Sequence, residues 1–297
     1  MLKISIIGGG SIGLLCSAYF CSLGEEVTLY TRREEQASEI VSKGLTLYKN
    51  RESHHFSINA SPISEFRSHG GLVILAVKQY QLEEVLKEIS IKLEKGTLLF
   101  LQNGMGHLSL LDKLTKYNVL IGIVEHGALK TSDYEVIHTG EGTLKVALYR
   151  GKDPYFNTSL ETFNKNGFPI EKVEDWYEIM ANKLVVNAVI NPLTALYRVK
   201  NGELLKNPYF LHNMKLLFNE AVSVLEVNRH QLWSTVEMIC KKTAENRSSM
   251  LCDIEKGYTT EIDAISGYIL AEANRQNRTL SLTSFLYKSI KGIEIMK

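Results

Sequence analysis

A lysine and two asparagines recur at a spacing of four residues in the second half of this 297-residue chain. Lys183, Asn187 and Asn191 would share one side of an α-helix, because four residues turn a helix by about 400°. The residues between them are mostly apolar, so polar groups left unpartnered there would cost on the order of 1–3 kcal/mol each. A polar ligand at this helix would supply the missing partners, and a solvated polar face is the alternative.

The lysine of this stripe has the chemistry that reduction of a carbonyl group requires. When a hydride adds to a carbonyl carbon, negative charge grows on the oxygen, where an ammonium group stabilises it and can deliver a proton. The ordinary pKa of a lysine, about 10.4, keeps the side chain protonated at neutral pH, and partial burial would lower it towards a more effective acid.

A glycine-rich segment near the N-terminus fits the pattern G-x-G-x-x-G. It runs Gly8-Gly9-Gly10-Ser11-Ile12-Gly13, between an apolar strand pattern at 3–7 and a helical pattern at 11–23. In such a turn the first glycine permits the bend, the second lets the backbone approach a pyrophosphate, and the third lets helix pack on strand. A plain glycine turn is the alternative, but strand, loop, helix and second strand in this order predict dinucleotide binding.

The residues after the second predicted strand, at 26–30, bear on the choice of dinucleotide. An NAD site has an acid there for the ribose 2′-hydroxyl, whereas this chain has Arg32 and Arg33, and an arginine can pair with a 2′-phosphate. The sequence therefore favours NADP. Two alternatives stay open: both arginines are solvated, or Glu34 or Glu35 holds the ribose.

Polar residues also follow two apolar strand patterns, at 72–77 and 97–101. The carboxyl ends of parallel strands form the ligand-binding edge of such sheets. Lys78 follows the first pattern and could lie near phosphate or adenine, with a surface lysine as an equal alternative. Asn103 follows the second and would face the nicotinamide, unless the segment Asn103-Gly104-Met105-Gly106 is an ordinary Asn-Gly turn.

Two polar segments near the C-terminus also suggest a site. Asn246 and Ser249 can donate hydrogen bonds to a carboxylate. Glu261 is predicted in the first turn of a helix with Thr260 as N-cap, where a negative charge that offsets the helix dipole is the alternative role.

Strand and helix patterns alternate up to about residue 170, and helical patterns dominate after it. Continuous apolar strands between helices predict a parallel sheet covered on both faces. A hairpin is predicted for residues 136–138 and 143–149 around Gly140-Glu141-Gly142. Helices are predicted at 176–196, 208–228, 234–240, 261–274 and 281–291. We therefore expect a doubly wound, mainly parallel α/β domain at 1–168 and an all-α domain at 169–297.

The composition argues against several classes of protein. The 34 Lys+Arg and 33 Asp+Glu leave a net charge of +1, which argues against a broad nucleic-acid-binding surface. The four cysteines form no CxxC pair and have no histidine at zinc-ligand spacing, so we expect reduced thiols and no metal site. Reduced thiols indicate a cytoplasmic protein. No apolar run approaches the ~18 residues of a membrane span, and no signal-peptide cleavage site follows the N-terminus.

These segments together resemble the ketopantoate reductase (2-dehydropantoate 2-reductase) family, whose members are NADPH-dependent enzymes of pantothenate synthesis. The resemblance spans nearly the whole chain and rests chiefly on C-terminal motifs. They are Lys183-Leu184-Val185-Val186-Asn187, Asn191-Pro192-Leu193-Thr194-Ala195, Asn201-Gly202-Glu203-Leu204, Glu245-Asn246-Arg247-Ser248-Ser249-Met250 and Thr260-Glu261-Ile262-Asp263. It implies a Rossmann domain followed by an all-α domain of the 6-phosphogluconate-dehydrogenase-like type, with the active site between them.

The resemblance also implies roles for individual residues. Lys183 matches the general acid, and Glu261 matches an acid that organises the site and contacts the nicotinamide side. Arg32 matches the arginine that binds the 2′-phosphate, and Ala128 a backbone contact to the cofactor. The positions that match ligands of substrate or cofactor are Asn103, Asn187, Asn191, Asn201 and Ser249.

The implied function is NADPH-dependent reduction of 2-dehydropantoate to (R)-pantoate. Two other functions stay open, namely reduction of a different 2-oxo acid and non-catalytic NADPH binding by a regulator. Retention of Lys183, the asparagines and Glu261 argues against the regulator. Residues 45–70 and 150–170 carry no matching motif. The sequence does not give the oligomeric state, and a homodimer is one option.

Overall fold

The computed structural model describes residues 2–68, 71–93, 95–156 and 168–296. The chain divides into two units. Unit 1 comprises Met1–Gln102 and Ser109–Trp176, and unit 2 comprises Asn103–Leu108 and Tyr177–Lys297. A six-residue segment after Gln102 therefore belongs with the C-terminal unit, although it lies in the N-terminal half of the sequence.

Within the described ranges, the β-strands belong to two sheets. In chain order they are β1 (Lys3–Ile7), β2 (Glu26–Thr31), β3 (Leu45–Lys49), β4 (Glu52–Phe56), β5 (Asn59–Pro62), β6 (Leu72–Leu75), β7 (Thr97–Phe100), β8 (Asn118–Val124), β9 (Gly127–Lys130), β10 (Glu135–Gly140), β11 (Leu144–Arg150) and β12 (Ile170–Val173). The larger sheet has the order β12-β11-β8-β7-β6-β1-β2-β5, and the smaller one β4-β3-β10-β9.

The helices predicted from the sequence are present with shifted ends, and the described residues also form helices that were not predicted. They are α1 (Ser11–Ser22), α2 (Glu34–Lys43), α3 (Gln79–Ser90), α4 (Leu108–Leu111), α5 (Trp176–Tyr197), α6 (Glu203–Lys206), α7 (Pro208–Val224), α8 (Arg229–Lys242), α9 (Ser249–Glu255), α10 (Tyr268–Arg275) and α11 (Ser281–Ile295). A 3₁₀-helix spans Ile63–Glu65 and a π-helix spans Asp263–Gly267.

Neighbouring strands of the larger sheet are parallel, except for the antiparallel pair β8–β11. β6 and β7 are buried along their whole length, as expected for strands covered on both faces. The chain runs from β1 to β2 on one side and later enters β6 on the other side of β1, so the direction of winding reverses at β1. The predicted doubly wound, mainly parallel sheet is confirmed.

The predicted hairpin around Gly140-Glu141-Gly142 is wrong. β10 pairs with β9 and β3 in the smaller sheet, whereas β11 returns to β8 in the larger sheet. The glycines mark the crossing between sheets, and a Cβ atom at residue 142 would lie only 2.4 Å from the carbonyl oxygen of Glu125. Apolar alternation identified both strands, but it carries no information on which strand each one pairs with.

Unit 2 is helical in its described part, which confirms the predicted helical C-terminal domain. Its longest helix, α5, continues through Pro192 to Tyr197. By length and composition alone α5 could cross a membrane, which the sequence analysis did not foresee. In the structure 72% of its most apolar 18-residue window is buried, as in the core helix of a globular unit.

The boundary between the two units lies at a different residue from the boundary predicted from the sequence. The sequence places the boundary between residues 168 and 169. In the structure β12 lies beyond that point and pairs in parallel with β11, so unit 1 continues to Trp176. Residues 157–167 lie outside the described residues.

Candidate active site

The glycine loop occupies the turn between β1 and α1 in unit 1. Gly8 has a φ of +117°, which side chains disfavour, and a Cβ atom at residue 13 would lie 1.8 Å from the carbonyl oxygen of Gly8. Gly10 is the N-cap of α1, and no described atom beyond its chain neighbours lies within 4 Å of the place where its Cβ would be. As a glycine, the N-cap residue has no side chain that could cap α1, so the first N–H groups of the helix suit an anion. The loop therefore fits the phosphates of a dinucleotide.

The carbonyl of Gly9 has two side-chain partners that the sequence analysis missed. Gln36 of α2 donates to it from Nε2 at 2.8 Å, and Lys130 at the end of β9 donates from Nζ at 3.1 Å. A Cβ atom at residue 9 would lie 2.5 Å from Gln36 Nε2, so a side chain there would displace the amide of Gln36. Gly9 occupies a variable position of the G-x-G-x-x-G motif, and this glycine was the one sign in the sequence of close packing at that residue.

The two arginines after β2 differ in their surroundings. β2 ends at Thr31, and Arg32 follows directly and is exposed. The guanidinium of Arg33 forms an ion pair with Asp133 at 2.5 Å, whereas no carboxylate of the described residues lies within 4.0 Å of the Arg32 guanidinium. Glu34 and Glu35 lie in the first turn of α2, where the helix dipole favours negative charge.

Two other predicted nucleotide contacts also lie in unit 1. Lys78 is the half-buried N-cap of α3, three residues after the end of β6. Because β6 is the parallel neighbour of β1, Lys78 and the glycine loop follow the same edge of the sheet. Ala128 lies in β9, opposite His138 of β10.

The polar stripe of α5 lies in unit 2. Lys183 and Asn187 are half-buried and Asn191 is buried, whereas Leu184 and Val185 between them belong to the core. The hydroxyl of Thr194, one turn beyond Asn191, donates to Oγ of Ser248 at 2.7 Å. Ser248 caps α9 through the N–H of Leu251. This hydrogen bond ties α5 to the start of α9, where the exposed Ser249 is the first residue.

Two of the predicted site residues are joined directly, although they are far apart in sequence. Asn103 donates from Nδ2 to Oε2 of the buried Glu261 at 3.0 Å. The N–H of Met105 donates to the carbonyl of Ala264 at 3.2 Å, and a Cβ atom at residue 104 would lie 2.2 Å from that carbonyl oxygen. Close backbone packing on the π-helix thus holds Asn103 against Glu261.

The C-terminal helix α11 holds the chain on both sides of Glu261. The N–H of Thr260 donates to Glu294 at 2.7 Å, and Asp263 accepts from Tyr287 at 2.6 Å and from Lys291 at 2.9 Å. Although burial acts in the opposite direction, Tyr287 and Lys291 hold the pKa of the Asp263 carboxyl below its ordinary value. Glu261 is therefore presented from a segment fixed at both ends.

The predicted helix start at Glu261 is partly different in the structure. Thr260 accepts from the N–H of Ile262 at 3.2 Å, as an N-cap does, but the helix that follows begins as a π-helix. Single-turn π-helices are rare and occur frequently at functional sites.

Asn201 is buried in unit 2. Its Nδ2 donates to Thr243 at 2.9 Å, and its main-chain N–H donates to the carbonyl of Asn246 at 3.0 Å. Oδ1 of Asn201 is buried and has no hydrogen-bond partner among the described residues. Among all the described residues, no group of three or more His, Cys, Asp or Glu side chains is placed to hold a metal ion.

Comparison with known proteins matches nearly the whole chain to one family. The model of ketopantoate reductase PanE/ApbA matches residues 4–151, and the model of its C-terminal domain matches residues 175–294. The chain belongs to the ketopantoate reductase family.

Members of the ketopantoate reductase family resemble this chain over its full length. The 2-dehydropantoate 2-reductase of Bacillus subtilis is 46% identical over 295 residues, which cover 99% of this chain and 98% of that protein. The crystal structure of a probable 2-dehydropantoate 2-reductase from Bacillus subtilis superposes with a TM-score of 0.88, at 45% identity, over 98% of this chain and 100% of that one. Both units of the chain therefore match this family of oxidoreductases.

The fold is also shared with an enzyme of another name. A structure of D-mandelate dehydrogenase with NADH and anilino(oxo)acetate has a TM-score of 0.91 at 23% identity, over 99% of each chain. At this identity the likeness shows the fold alone.

Proposed function

We propose that this protein reduces 2-dehydropantoate to (R)-pantoate with NADPH. The observation that carries the proposal is the 46% identity, over 99% of the chain, to a 2-dehydropantoate 2-reductase. The glycine loop of unit 1 and the α5 stripe with the Asn103–Glu261 pair of unit 2 supply the residue types that such a reaction needs. NADPH supplies a hydride when it is bound.

Lys183 acts as the general acid in this proposal. Its ammonium group stabilises the negative charge that develops on the substrate oxygen and delivers a proton to that atom. The half-buried position of Lys183 among apolar neighbours limits competing contacts with water. The carboxylate and the hydroxyl of the substrate are bound through neutral donors, which are the side chains of Asn187, Asn191, Asn201 and Ser249.

Asn103 and Glu261 orient one another. The carboxylate of Glu261 accepts from Asn103 Nδ2, which leaves the Asn103 amide oxygen as an acceptor. In the proposed site Glu261 organises the neighbouring donors and contacts the nicotinamide side, while Asn103 contacts substrate or cofactor.

NADP is favoured over NAD because Arg32 directly follows β2, where a 2′-phosphate would need a cation. We expect Arg32→Ser to weaken NADPH binding about tenfold, through loss of a charge-assisted hydrogen bond, and to leave the Kd for NADH nearly unchanged. Arg33→Ser is the matched control for selectivity: because Asp133 holds that guanidinium, any loss of affinity should be equal for NADPH and NADH. Fluorescence titration of each variant with both nucleotides measures the effect, and equal losses for NADPH and NADH would assign Arg32 no role in selectivity.

The direct test of the reaction is NADPH oxidation by the purified protein, with and without 2-dehydropantoate, and the same assay with NADH. The proposal expects substrate-dependent oxidation with NADPH as the better cofactor. A panel of other 2-oxo acids tests the alternative of a related reductase, which the shared fold with D-mandelate dehydrogenase keeps open. NADPH binding without oxidation on any of these acids would instead indicate a regulator.

A cytoplasmic location and a homodimer remain predictions, which fractionation and light scattering would test.

A further inference from the structure

The carbonyl oxygen of Gly9 is held from outside the glycine loop. Gln36 and Lys130, from α2 and the end of β9, both donate to it, at 2.8 and 3.1 Å. The same two side chains are joined through Asp133, in the turn between β9 and β10. Asp133 accepts from Lys130 at Oδ1 (2.8 Å) and from Gln36 at its main-chain carbonyl (2.9 Å). We call Gln36, Lys130 and Asp133 the Gly9 clamp.

The Gly9 clamp is partly shielded from solvent and balanced in charge. Gln36 is buried, and the side chains of Lys130 and Asp133 are only 28% and 23% exposed. Arg33 adds a second cation on Asp133 Oδ2 at 2.5 Å. Although burial acts to raise it, Lys130 and Arg33 hold the pKa of the Asp133 carboxyl below its ordinary value. Asp133 therefore stays ionised at neutral pH and fixes both cations.

The clamp determines the direction of one main-chain N–H group. In a planar trans peptide the carbonyl of residue 9 and the N–H of residue 10 point in opposite directions. Because Gln36 and Lys130 hold the Gly9 oxygen on one side, the N–H of Gly10 points to the other. Gly10 is the N-cap of α1, so this N–H lies at the start of the helix, where an anion would bind.

We propose that Gln36, Lys130 and Asp133 are positioning residues for the dinucleotide, which hold the Gly9–Gly10 peptide with its N–H turned towards the phosphates. The inference rests on the proposed function in that the ligand is a nicotinamide dinucleotide. The clamp acts on the pyrophosphate, which NADPH and NADH share, so it affects both nucleotides alike. Arg32, in contrast, distinguishes them.

The experiment compares Lys130→Met with Lys145→Met in the full-length protein. Lys145 is a matched control, because its side chain is 29% exposed and pairs with Glu125 at 2.9 Å, yet β11 lies outside the clamp. We expect Lys130→Met to raise the Kd of both NADPH and NADH about tenfold, as one charged hydrogen bond is lost, and to leave kcat at saturating NADPH within about twofold. Lys145→Met should bind as the wild type does, and Lys130→Arg should recover most of the affinity.

Each outcome bears on the inference separately from the proposed function. Unchanged affinity in Lys130→Met overturns the clamp, and so does a fall in kcat with no change in Kd. Circular dichroism and thermal unfolding check that the variants fold, and Gln36→Met provides a second test if Lys130→Met does not. Wild-type protein that binds NADPH and does not oxidise it with 2-dehydropantoate contradicts the proposed function and leaves the clamp standing. Wild-type protein that binds neither nucleotide contradicts both.

Discussion

Lys183 is the residue on which the proposed chemistry depends most. If it delivers the proton, Lys183→Ala should lower kcat by about 10²–10⁴-fold, the usual contribution of a general acid. The Kd for NADPH, measured by fluorescence titration, should stay within about twofold, because the glycine loop lies in unit 1. Lys206→Ala is a control, since that lysine is exposed and pairs with Glu203. Near-normal turnover of Lys183→Ala would contradict the assignment of Lys183 as the general acid.

Single residues show what spacing can and cannot predict. The stripe of Lys183, Asn187 and Asn191 needed only the period of the α-helix, and these residues lie on one helix, as expected. The bond between Asn103 and Glu261 joins residues 158 positions apart, and only tertiary packing brings them together. Lys130 carried no local signal either, because its partner is a main-chain oxygen 121 residues away.

At the scale of elements, the fully buried strands β6 and β7 were predictable and the exposed strand β4 was not. β6 is an uninterrupted apolar run and is fully buried, so its pattern indicated a central strand. β4 reads Glu-Ser-His-His-Phe with four exposed residues, and it lies in the segment 45–70 that carried no recognisable motif. An edge strand of this kind is formed by pairing with β3 rather than by burial of its own side chains. The pairing of β10 was predicted wrongly for a related reason, because contacts with other strands of the sheet determine the partners of a strand.

The contact between the Asn103 loop and the π-helix can be tested with a matched pair of glycines. Gly104 and Gly24 have similar positive φ angles, +75° and +80°, so alanine at either position pays a similar backbone cost. At Gly24 no described atom beyond the chain neighbours lies within 4 Å of the added Cβ, whereas at Gly104 the carbonyl oxygen of Ala264 would lie 2.2 Å away. We expect Gly104→Ala to lower the free energy of unfolding by about 1–3 kcal/mol more than Gly24→Ala, since the loop must shift.

Urea unfolding of the two alanine variants measures this difference. Displacement of the loop should also move Asn103 away from Glu261, so Gly104→Ala should lose activity in the remaining folded protein, and Gly24→Ala should not. Equal losses of stability in the two variants would mean that the loop accommodates a side chain, and that close packing on the π-helix is not what holds Asn103.

For the molecule as a whole, the two units share a sensitivity to acid. Unit 1 buries His126 and unit 2 buries His107, and burial lowers the pKa of each to about 4. The ring of His126 also faces His138 and Lys49, which further lower its pKa, and Glu141, which acts against them. Nδ1 of His126 accepts from the N–H of Gly142 at 3.1 Å, so a proton there would break a hydrogen bond. In the unfolded chain both histidines would titrate near 6.5.

Acid should lower the stability of the folded protein, because both histidines take up a proton more readily in the unfolded chain. Between about pH 6.5 and pH 4 the unfolded chain binds protons that the folded chain excludes, so stability is fully present above pH 6.5 and falls as the pH decreases. From pH 7 to pH 5 we expect each histidine to remove roughly 1–2 kcal/mol of stability. His126→Gln, which keeps an acceptor for Gly142, should show a smaller fall in the urea midpoint over this range than the wild type. The exposed His230, changed to Gln, should show the wild-type fall, and an undiminished fall in His126→Gln would place the acid sensitivity elsewhere.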